Sequence, residues 1–202
     1  KKEVIKMSSL INEMLYLFEK TFNKEKDISN SIVLGRKMET TSDQMQEQIS
    51  TYLAECTKHE LSYRSSKEVA AMLRLTNELE SIGDSCFNLF LQIEKIKPKL
   101  VFTDKMNEEI SYLYTIVIKF IQWNHSFIEN DIREMTPNDL RKSMEYEKQI
   151  DDIRNKFIDS SRERLTEEFN PKAELIYIDI VKHLEHIGDY SLNISQALEQ
   201  NN

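Results

Sequence analysis

The chain has 202 residues, of which only 3 are Gly and 3 are Pro. So few turn-makers exclude many-turned β sandwiches and barrels, collagen-like chains and linker-rich chains. A net charge of −8 argues against nucleic acid as the main partner, because phosphate binding needs a basic footprint.

Apolar residues recur at spacings of three and four, so the chain reads as all-α. The first helix is predicted over 2–23, ending in the polar run Asn23–Asp27. The second runs over 28–57 and stops at Lys58–Glu60. The third, 62–96, ends before Pro98. The fourth follows Thr103 over 104–130, and its most apolar stretch, Leu113–Ile121, is interrupted by Lys119. No apolar run approaches the roughly 18 residues a membrane helix needs. The fifth, 137–167, opens on Thr136-Pro137, an N-cap followed by Pro at the first helical position. The sixth, 172–199, follows Asn170-Pro171. Short breaks between long helices predict antiparallel neighbours.

The third and sixth helices carry an internal repeat. Leu79–Asn88 reads LESIGDSCFN and Leu184–Asn193 reads LEHIGDYSLN, identical at six of ten positions at an offset of 105. A fainter echo lies on the second and fifth helices, where Glu39/Asp43 and Glu147/Asp151 share a Glu-x-x-x-Asp spacing at an offset of 108. The chain therefore reads as a tandem pair of antiparallel three-helix bundles, 1–98 and 99–202.

Residues four apart share a helix face. Glu39/Asp43 with Glu80/Asp84, and Glu147/Asp151 with Glu185/Asp189, form acidic rows on the flanks of apolar stripes such as Leu75, Leu79, Ile82, Cys86 and Phe90. Asn88 and Asn193 extend two of the rows with further oxygen donors. Like charges stacked on one face repel by a few tenths of a kcal/mol per pair. A bound cation removes that repulsion, and oxygen ligands suit Mg²⁺, Ca²⁺, Mn²⁺ and iron. A solvated acidic face is the alternative. Gly83 and Gly188 precede the second carboxylate of each motif. Mid-helix Gly costs about 0.5–1 kcal/mol, offset by close approach of a ligand or equally of a neighbouring helix.

His183 and His186 flank Glu185, His59 sits in a turn and His125 stands alone; Trp123 reads as core or interface. Cys56 and Cys86 make neither a disulfide framework nor a metal knuckle. No nucleophile–base pattern or phosphate loop is visible.

The two ten-residue stretches resemble the PhoU family, whose repeats carry Leu-Glu-Arg-Ile-Gly-Asp-x-x-x-Asn on the third helix of each three-helix unit. The matching residues are Leu79, Glu80, Ile82, Gly83, Asp84, Asn88 and Leu184, Glu185, Ile187, Gly188, Asp189, Asn193. The resemblance implies surface metal clusters, often of iron or zinc; the eight carboxylates are the expected ligands, and oxygen-ligand chemistry adds manganese and magnesium as options. The resemblance also implies a non-enzymatic role in bacterial phosphate uptake. The family Arg is Ser81 and His186 here, and the family's frequent Asp before the motif Leu is Glu78 and His183. Ile49–Leu53 and the start at Lys1 without Met resemble the cytoplasmic tails of Na⁺/phosphate cotransporters, inner-membrane proteins. The leading expectation is such a metal-binding tail, partnered by a transporter membrane domain, phosphate-signalling proteins, phosphate held through metal, or a second copy of the chain. The alternatives are a free-standing PhoU-type regulator, a metal-dependent phosphoester hydrolase, and a helical adaptor without metal.

Overall fold

The computed structural model describes residues 1–24, 26–96, 102–166 and 170–199. Six helices fill it: α1 (Lys2–Phe22), α2 (Ile28–Cys56), α3 (Tyr63–Lys95), α4 (Asp104–Glu129), α5 (Pro137–Thr166) and α6 (Pro171–Glu199). Each falls within a residue or so of its predicted span. Pro98 and the expected last residue of the fifth helix, Glu167, lie outside the described residues. No helix among the described residues is long and apolar enough to cross a membrane.

Beyond α1, the helix starts are set by short polar side chains that satisfy orphan backbone amides. Asp27, Ser62 and Thr103 accept from the amides of Asn30, Ser65 and Met106. Thr136 and Asp139 form a reciprocal capping box around Pro137. Asn170 accepts from the Lys172 amide, again beside a Pro at the first helical position.

Helices α1, α2 and α3 pack on one another, as do α4, α5 and α6, and α2 and α5 share no contact among the described residues. The units meet through α3 against α6 and α1 against α4. Tyr114 hydroxyl donates to the Leu15 carbonyl at 3.0 Å, tying α4 to α1. Across the α3–α6 seam, Arg74 donates to Gln196 and Asn193 donates to Glu78. One number rises as the other falls, so the helices run antiparallel. Continuing that register brings the segments around Gly83 and Gly188 to the same level.

The core is one connected set of buried side chains that includes Met7, Phe18, Leu75, Phe90, Phe120, Tyr177 and Leu184. At about 25 cal/mol per Å² such burial supplies the main stabilising term. Gly35, eight residues into α2, belongs to this packing. A Cβ there would stand 2.9 Å from the ring of Phe90, which is fully buried and edge-on to Phe18. Gly35→Ala gains about 1 kcal/mol of helix propensity but overpacks a fixed ring at a cost of about 1–3 kcal/mol. The expected result is net destabilisation in urea unfolding, relieved by Phe90→Leu in the same chain.

The units differ at one end. Glu174 is fully buried on α6 and receives both Nε and Nη2 of Arg164, at 2.6 and 3.1 Å, and the Ser161 hydroxyl. Glu109 takes Arg164 Nη1 at 3.3 Å and the Tyr177 hydroxyl. By the repeat offsets, Ser161, Arg164, Glu174 and Tyr177 correspond to Leu53, Cys56, Val69 and Met72. The second unit thus holds a buried ionic network where the first is apolar.

Candidate metal centres

The acidic rows lie where α2 meets α3 and where α5 meets α6. Glu39, Asp43 and Asp84 each bring a carboxylate oxygen within 4.8 Å of the others, and Glu147, Asp151 and Asp189 do the same. Two helices therefore contribute to each group, at equivalent positions of the repeat. The fourth carboxylate of each motif, Glu80 or Glu185, lies beside its group but outside that 4.8 Å set.

Their electrostatics record the crowding. Burial, then Asp43, raises the Glu39 pKa. Burial, then Asp84 and Asp43, raises that of Glu80. Asp84 is raised by burial and then by Asp43. In the second unit, burial and then Asp151 raise Glu147, and burial and then Glu185 raise Asp189. Each group resists the ionised form because burial strips its hydration and because its neighbours carry the same charge.

The donor set fits a hard cation. Oxygen ligands sit about 2.0–2.6 Å from Mg²⁺ or Ca²⁺, so even opposed oxygens on one ion stand about 4–5 Å apart. Three oxygens within 4.8 Å of one another meet that limit. Asp43 and Asp84 are exposed, which leaves room for water or an anion on the open side.

Sequence reasoning placed all four rows on the flanks of the bundle, and Glu185 departs from this. It is 6% exposed and paired with Arg154 Nη2 at 2.5 Å. That pairing joins α5 to α6, so no spacing along one helix signals it. Asn193 turns its amide to Glu78 across the seam, while Asn88 is half-buried on α3.

The motif glycines serve helix packing. A Cβ on Gly83 would meet Ile11 and Ser42 at 3.2 Å, and one on Gly188 would meet Ile150 at 2.9 Å. By the offset of 108, Ser42 and Ile150 are equivalent. Each glycine thus lets α2 or α5 approach its motif helix, which brings the two acidic rows of the unit together.

His186 Nε2 lies 3.6 Å from Glu185 Oε2. His183 is half-buried, its Nδ1 has no hydrogen-bond partner, and burial lowers its pKa. His125 does not stand alone: its Nδ1 shares a hydrogen bond with Ser8 at 2.9 Å and its Nε2 faces Glu129 at 3.3 Å. Trp123 packs edge-on to Phe127 and donates to Ser143, joining α4 to α5. Cys86 is buried and free, and Cys56 is half-buried and free.

Residues 125–198 match the family model described as the PhoU domain, a stretch that includes the second motif. The chain is 24% identical over 212 residues to the phosphate-specific transport system accessory protein PhoU homolog 1 of Thermotoga maritima, covering 98% of this chain and 86% of the relative. The crystal structure of PhoU from Pseudomonas aeruginosa superposes with a TM-score of 0.85 at 15% identity, covering 98% of this chain and 92% of that one. The chain has the PhoU fold, and the resemblance read from its two motifs is borne out.

Proposed function

We propose that this PhoU-like chain is a regulator of phosphate transport that carries a metal centre in each of two repeats, 1–98 and 99–202. The observation that carries the metal reading is the recurrence of a converging three-carboxylate group at equivalent places in both units. Glu39, Asp43, Glu80 and Asp84 would hold metal in the first; Glu147, Asp151, Glu185 and Asp189 frame the second. Bound metal would supply positive charge on an exposed face, where phosphate or an acidic partner surface can dock.

The regulatory role rests on the relative named as a phosphate-transport accessory protein and on its match along nearly all of this chain. That support favours an accessory regulator over a transporter tail, because both matched proteins carry the PhoU name. The hydrolase reading is weaker. Asp43 and Asp84 are exposed, and hydrolysis through metal-activated water needs a shaped site that excludes bulk solvent.

Two measurements test the proposal. Metal analysis and calorimetry with Mn²⁺, Zn²⁺ and ferric ion are expected to detect binding that Asp84→Ala with Asp189→Ala abolishes. Expression in a bacterium stripped of its own PhoU-type regulator is expected to restore repression of phosphate uptake when phosphate is abundant. Failure of the first sinks the metal reading, and failure of the second sinks the regulatory one.

A further inference from the structure

The two clusters share a carboxylate pattern but not a charge balance. Resting on the metal reading above, we propose that Arg154 is a built-in counter-cation of the second cluster, so that the first cluster binds a multivalent cation more tightly than the second. Arg154 projects from α5 with Nη2 at 2.5 Å from Glu185 and 3.9 Å from Asp151. Glu185 is thereby committed to a guanidinium, a charge-assisted contact with little solvent around it.

Among the described residues, the first cluster has no such group. The position equivalent to Arg154 is Gln46, whose amide nitrogen donates to Asn77 rather than to a carboxylate. None of Glu39, Asp43, Glu80 or Asp84 forms a salt bridge among the described residues, and Glu80 has the hydroxyl of Ser81 at 3.4 Å. Arg36, the cation that acts on Glu39, stacks 4.8 Å from the centre of the Phe87 ring. A cation entering the first cluster meets four carboxylates, none of them salt-bridged to a basic side chain among the described residues. One entering the second meets a guanidinium already in place.

A single like charge a few ångströms away, at the dielectric of a protein surface, weakens binding by about tenfold or more. Mn²⁺ titration of the metal-free full chain, followed by calorimetry and by electron paramagnetic resonance of free Mn²⁺, is expected to resolve two classes at least about tenfold apart. Asp84→Asn is expected to remove the tighter class and Asp189→Asn the weaker. Arg154→Gln brings the second class to within about threefold of the first, and Gln46→Arg weakens the first by about tenfold. Equal classes in the wild type overturn the inference while leaving the metal reading intact. So does a first class unmoved by Gln46→Arg, which decides the matter even where Arg154→Gln impairs folding. Absence of Mn²⁺ binding at both clusters overturns both.

Discussion

Arg164→Leu is expected to destabilise the fold by about 3–5 kcal/mol, the range for breaking a buried pair from one side. Its guanidinium bonds Glu174 through two nitrogens and Glu109 through a third, and stacks 4.7 Å from the centre of the Tyr177 ring. Burial opposes the charge, yet the hydrogen bonds to Glu174 and the negative charges of Glu174 and Glu109 hold the guanidinium's pKa above its ordinary value. Removing the guanidinium leaves Glu174 fully buried with, among the described residues, only the Ser161 hydroxyl against it. The first unit shows the apolar solution, because Val69 stands at the place of Glu174. Adding Glu174→Val to Arg164→Leu should therefore recover most of the loss, since replacing a buried pair by packed apolar groups is often neutral. Urea unfolding of the single and double variants checks this. A double variant as unstable as the single one would mean that packing of the arginine stem, rather than the stranded carboxylate, sets the cost.

The helices were legible because their ends are local. Thr136-Pro137 and Asn170-Pro171 encode caps within a few residues, and the three-and-four spacing encodes the buried stripe. The acidic groups were legible for the same reason: a spacing of four aligns two carboxylates, and the repeat pairs the rows. What escaped reading lies between helices. Gly83 and Gly188 pointed to a close approach, but only the packed bundle identifies the partners as Ile11, Ser42 and Ile150. The packing partner of Gly35 is Phe90, fifty-five residues on, which no local pattern signals. Nothing in the sequence singles out Arg154, because its partner Glu185 comes from another helix.

Manganese at about 100 times its dissociation constant is expected to stabilise the protein by about 2.7 kcal/mol at neutral pH, and the effect should vanish in mild acid. The signs follow from the carboxylates. Glu39, Glu80, Asp84, Glu147 and Asp189 all have folded pKa values raised by burial and like-charged neighbours. The folded state therefore binds more protons than the unfolded one just above the ordinary carboxylate range. The contribution of these groups to metal-free stability falls as pH rises through that window. Metal acts in the opposite direction. Protons and cations compete for the same oxygens, so stabilisation by Mn²⁺ appears only as those oxygens ionise. Asp139 titrates the other way: the Thr136 amide and hydroxyl lower its pKa, so its support is lost as pH falls. The difference between curves with and without Mn²⁺ cancels that contribution. Urea midpoints from pH 4 to pH 8 should thus diverge steadily with rising pH, and Asp84→Asn should raise the metal-free midpoint while shrinking the gap. Parallel curves, or a metal-free midpoint lowered by Asp84→Asn, would show that the acidic rows are solvated faces under no mutual strain.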